Sequence, residues 1–155
     1  MYFIKETPIF FEFLRKFFQI ARIKIGDNFL EKTLFLHSKC NCGQKDCGTV
    51  YLKMKKPLKK ELENIFIFDT NKGYFLIHKE DKGYFEFEAL QYEKFPYKKE
   101  IDNFFNKKRK INDKFPKKLK NSDGITEKEI KKLDKYFIDL EFREPNIIDL
   151  GKLDI

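Results

Sequence analysis

The chain has 155 residues, 41% hydrophobic and 37% charged, with a formal net charge of +8, which suits one folded domain that needs no disulfide or metal staple and excludes wholesale disorder. Its apolar N-terminal run is broken by Glu12, Arg15 and Lys16, so neither a membrane span nor a signal peptide is expected. Only four of its 33 basic residues are arginine, which weighs against base-specific reading of nucleic acid, because arginine supplies the bidentate contacts to phosphate and guanine.

In chain order, Thr7 and Pro8 resemble a helix N-cap followed by proline at the first helical position, and Ile9, Phe10, Phe13, Leu14, Phe17, Phe18 and Ala21 then recur at helical spacing. This predicts an amphipathic helix packed on a sheet. The period shortens towards two at Ile23 and Ile25, at Leu34 and Leu36, and at Val50, Leu52 and Met54, which predicts strands. Segment 57–64 is expected to form a short helix with Leu58, Leu62 and Ile65 on one face. Runs 65–68, 74–78 and 84–90, joined by Asp69–Gly73 and Glu80–Gly83, predict a three-stranded meander. Pro96 precedes a second helical stripe of Tyr97, Ile101, Phe104 and Phe105. The third helix carries the sharpest local signal, a capping box of Thr126 and Glu129 with Ile125 and Ile130 placed as a hydrophobic staple. Ile130, Leu133, Phe137 and Leu140 mark its expected buried face, and residues 141–155 are expected to run extended over the surface. The predicted fold class is α+β: an antiparallel sheet of hairpins and a meander packed against about three helices, in a single domain over residues 1–155.

Charge is unevenly placed. Residues 91–120 hold eleven basic and four acidic side chains. The stretch 107–120, with Lys107, Lys108, Arg109, Lys110, Lys114, Lys117 and Lys118, is expected to form a basic loop or arm, since Phe115-Pro116 interrupts helix. Such a stretch suits an acidic protein face or nucleic acid, or simply solvates the surface. Phe115 is the only aromatic residue between Lys107 and Lys120, which leaves a nucleic-acid reading without regular stacking partners.

The chemistry-bearing residues gather in His37-Ser38-Lys39-Cys40-Asn41-Cys42-Gly43-Gln44-Lys45-Asp46-Cys47. Three clustered cysteines make a poor secreted disulfide framework and point to a reducing cytoplasm. His37, Cys40, Cys42 and Cys47 are the donor set that tetrahedral zinc accepts, although Cys40-Asn41-Cys42 is tighter than the usual spacing. The favoured expectation is a reduced, metal-free hairpin-tip loop between strands ending near His37 and beginning near Thr49, with no cofactor and with zinc binding as the alternative. His78, at the end of a meander strand, is expected to be structural. Glu86 and Glu88 share a strand face in what looks like an exposed alternation. No P-loop, dinucleotide fingerprint or nucleophile-base pair is legible, so no enzyme activity is expected.

The run Cys40-x-Cys42-Gly43-x-x-x-Cys47-x-Thr49-Val50-x-Leu52 resembles a motif in small bacterial proteins, among them immunity proteins encoded beside polymorphic or contact-dependent growth inhibition toxins. The resemblance implies a non-catalytic cytosolic protein that binds one cognate toxin domain and covers its active site. The chain departs from it in charge, being basic where immunity proteins against basic nuclease toxins tend to be acidic. The competing expectation is a small basic nucleic-acid-associated protein with a zinc-stapled loop.

Overall fold

Apart from the run at Ile23, the period-two runs pair into one antiparallel sheet, and the helices gather on a single face of it. The computed structural model describes residues 1–24, 28–55, 64–79, 83–91, 95–107, 111–119, 124–143 and 148–149. In chain order the elements are β1 (Tyr2–Phe3), α1 (Pro8–Ile20), β2 (Ile23–Lys24), β3 (Leu34–Lys39), β4 (Val50–Met54), β5 (Asn64–Thr70), β6 (Gly73–Lys79), β7 (Tyr84–Gln91), α2 (Lys98–Asn106), α3 (Glu127–Ile138) and β8 (Ile148–Asp149). A 3-10 turn at Ile4–Glu6 and a π-helical turn at Phe29–Thr33 complete them. The sheet order is β1-β3-β4-β7-β6-β5, so the expected α+β class and the β5-β6-β7 meander are present. Among the described residues no helix is long and apolar enough to cross a membrane.

The alternation of the strands turns Phe68, Phe75, Ile77, Phe85 and Phe87 to one side, where they are buried. Helix α1 lies on that side with Phe10, Phe13, Leu14, Phe17 and Phe18 fully enclosed. Phe13 in turn receives Tyr136 and Phe137 of α3, at ring separations of 5.5 and 4.9 Å. A single apolar cluster therefore runs from the sheet through α1 into α3. This is the burial that stabilises the fold, since each such ring removes a large apolar area from water.

Several local expectations need correction. Thr7 precedes α1 as expected but does not cap it, because its hydroxyl donates to the Ile4 carbonyl at 2.8 Å. The carboxylate of Glu100, from α2, takes the cap's place, accepting from the backbone N–H groups of Ile9 and Phe10 at 2.9 Å each. Ile65 belongs to strand β5, and the remainder of the helix expected over 57–64, except Asn64, lies outside the described residues. Ile25 is also outside them, and β2 pairs in parallel with β8, so part of the extended ending forms a strand. Phe142 is inserted beside Phe17 and Phe68 at 5.5 and 6.0 Å. Ile130 is 37% exposed, because the first turn of α3 projects beyond the body that buries Leu133, Tyr136 and Phe137.

The capping box itself is formed. Thr126 Oγ1 accepts from the Glu129 N–H at 3.2 Å, and Glu129 Oε1 accepts from the Thr126 N–H at 3.0 Å. Thr126→Ala should therefore cost about 1 kcal/mol in chemical denaturation while the fold persists. An unchanged midpoint would mean that this exposed turn contributes nothing to the stability of the whole.

Candidate functional site

The cysteine loop connects β3 to β4. The ladder closes through the Cys40 N–H bond to the Thr49 carbonyl at 3.1 Å and the Gly48 N–H bond to the Ala89 carbonyl at 2.8 Å. Lys98, at the start of α2, donates to the Gln44 carbonyl at 3.1 Å and to the Cys47 carbonyl, while the Tyr97 hydroxyl donates to the Gly48 carbonyl. Gly48 permits this contact, because a Cβ there would stand 2.6 Å from the Phe95 ring and 2.8 Å from the Tyr97 oxygen. Gly43, at φ +75°, supplies the left-handed turn that brings the sulfurs round.

The ligand atoms of Cys40, Cys42 and Cys47 all lie within 4.8 Å of one another, so these three side chains can bind a metal ion together. The Gln44 N–H, then the neighbouring cysteines and the Lys98 ammonium, hold the exposed Cys42 thiol below its ordinary range. Burial raises the Cys40 thiol, opposed by a bond from the Cys42 N–H. His37 is not in the group. Its Nε2 meets Asp113 Oδ1 at 2.7 Å and its Nδ1 meets Ser38 Oγ at 3.0 Å, beside the register shift that interrupts β3 between Leu36 and Ser38. The four-residue donor set expected from the sequence is thus reduced to three.

The basic stretch is more firmly held than a free arm. Residues 111–119 form neither helix nor strand, yet the N-terminal ammonium of Met1 donates to the carbonyls of Asn112 and Lys114. Phe115 packs on Phe35 at 5.2 Å, and Asp113 holds His37. Lys107, Lys114, Lys117 and Lys118 are exposed, whereas Lys108, Arg109 and Lys110 lie outside the described residues.

A cleft of about 930 Å³ opens between α2 and α3, lined among others by Lys72, Lys99, Lys107, Lys132, Glu100 and Glu129. Burial, opposed by the two backbone bonds and reinforced by the Glu129 charge, raises the Glu100 carboxyl to about 7. Both oxygens of that carboxyl are already committed to the N-terminus of α1.

The face of the sheet away from α1 was not singled out by the sequence. Register aligns Lys53 with Tyr84, Tyr51 with Glu86 and His78, Ile67 with Leu76 and Glu88, and Asp69 with Tyr74 and Leu90. Phe115, in segment 111–119, packs on its Phe35 end. Ile67 is 52% exposed, while the tyrosines, Leu76 and both glutamates are half-buried among their neighbours. Tyr84 donates to Glu86 Oε2 at 2.9 Å, and His78 Nδ1 stands 3.9 Å from the same oxygen. Burial, then the Glu86 charge, raises the Glu88 carboxyl. Burial, followed by charges at Cys40 and Glu86, raises Tyr51 to about 12. Glu86 and Glu88 are therefore members of a tyrosine-rich surface that also carries Lys53 and the Asp69–Arg143 ion pair, and the cysteine loop borders it through the Cys40–Tyr51 contact. Comparison with protein-family models, with curated proteins and with solved structures found no match to the chain.

Proposed function

We propose that the chain is a non-catalytic protein-binding module that receives a basic patch of a partner protein on the face of its sheet away from α1. The observation that carries this reading is the composition of that face: Tyr51, Tyr74 and Tyr84 with Ile67 and Leu76, around Glu86 and Glu88. Tyrosine is enriched where proteins meet because it offers large contact area together with a polar tip, and charge at such a surface favours a complementary partner. The resemblance of the cysteine run suggests the partner class, a toxin domain, and with it an immunity protein acting in the cytoplasm by occlusion. Glu86 and Glu88 place local carboxylates on this face of a chain of net charge +8, and these are what a basic partner patch would meet. A metal ion in the cysteine loop, zinc by the chemistry of its donors, would brace the border of this face without reacting there.

The test is co-purification from the native host with both nuclease-treated and untreated lysate, using the tagged chain and an Ile67→Lys/Leu76→Glu variant with matching circular dichroism. One protein recovered with the wild type and lost with the variant is the expected result. Nucleic acid recovered in place of protein, or equal capture by the variant, would overturn it.

A further inference from the structure

Three thiols drawn to one point by a loop that is itself tied down are more than a chance of spacing. Backbone N–H groups point at two of the sulfurs, that of Cys42 at Cys40 and that of Gln44 at Cys42. The backbone carbonyls of Gln44 and Cys47 are held by Lys98, so the loop is positioned before any ion arrives. Sulfurs around tetrahedral zinc sit about 2.3 Å from the metal. The present separations, all within 4.8 Å, need only a small inward closure.

We infer that Cys40, Cys42 and Cys47 hold one zinc ion as thiolates and, with no fourth ligand among the described residues, leave its fourth coordination position to an exchangeable donor. This rests on the metal part of the function proposed above and is independent of partner docking. The nearest sequence candidate for a fourth ligand, His37, has both ring nitrogens engaged, by Asp113 and Ser38. Among the described residues no other histidine, cysteine or carboxylate joins the three. Cys42 is exposed and Cys40 half-buried, so solvent reaches the loop. A three-ligand zinc with an open position is chemically distinct from a closed four-ligand staple, because water or an incoming thiol or imidazole completes it. Binding releases the thiol protons, so affinity falls as pH is lowered.

Cobalt(II) is the probe. Reduced protein titrated anaerobically with Co²⁺ should take up one equivalent, with sulfur-to-metal charge transfer and the visible bands of tetrahedral coordination, and zinc should displace it. Cys42→Ser, at an exposed position, should weaken binding on the order of tenfold or more, and His37→Ala should leave the spectrum unchanged. Added imidazole or a small thiol should shift the visible bands, a response that a purely structural loop would not give. No cobalt uptake by protein with three titratable thiols overturns metal binding itself. Uptake that is lost in His37→Ala, or a spectrum indifferent to added imidazole and thiol, overturns the open position while leaving metal binding intact.

Discussion

Alanine in place of Phe17 should lower the unfolding free energy by about 3–5 kcal/mol, the usual cost of emptying a fully buried aromatic position. Phe17 is fully enclosed, and its ring lies 4.8 Å from Phe75, 5.3 Å from Phe87, 5.5 Å from Phe68 and 5.5 Å from Phe142. One side chain thereby joins α1 to three strands and to the segment after α3. Rings on several elements cannot all move inward when it is removed, so the cavity stays open and the cost stays high. Against a domain stability of about 5–15 kcal/mol, such a loss is a large fraction of the whole. Urea denaturation measures it. A loss below about 1 kcal/mol would show that the cluster collapses around the gap.

Stability should also fall as pH rises from about 4.5 to about 7, and Glu100→Gln should flatten that slope. Burial lifts the native carboxyl to about 7, above its ordinary value of 4.5. Between those values the native state keeps a proton that the unfolded chain has released, so unfolding is favoured as protons become scarce. The contribution is full below the unfolded value, is lost as pH rises through the native one, and is on the order of 3 kcal/mol at most. Glu88, raised in the same sense, and Asp113, held low mainly by its bond to His37, add slopes of their own. The difference between wild type and variant is therefore the quantity to measure. Equal slopes in the two proteins would mean that Glu100 ionises at its ordinary pH despite its enclosure.

Much of the fold was legible because its signals are local. The stripe from Ile9 to Ala21, the turn residues of the meander and the box at Thr126 each act within a few positions. What escaped depends on distant partners. The acid that caps α1 comes from Glu100, about ninety residues away, so nothing near Thr7 could announce it. The strand pairing of Ile23 with Ile148 is equally remote. In the candidate site, the gathering of the cysteines followed from their spacing, but the removal of His37 required Asp113 from the basic stretch. The tyrosine face around Glu86 and Glu88 was invisible as a whole for a different reason. Its members occupy the outward positions of four strands, and only the sheet order places them together.

The central claim is that the outer sheet face, rather than the basic stretch, carries the partner. The direct measurement is the affinity and kinetics of the recovered partner for three proteins: wild type, Tyr74→Ala/Leu76→Ala, and a variant neutralised at Lys107, Lys114, Lys117 and Lys118. The face variant should lose about 2 kcal/mol or more of binding free energy, roughly thirtyfold in Kd, mainly through faster dissociation. Neutralising the lysines should alter chiefly the association rate and its salt dependence. Wild-type affinity in the face variant, with binding abolished in the lysine variant, would contradict the account.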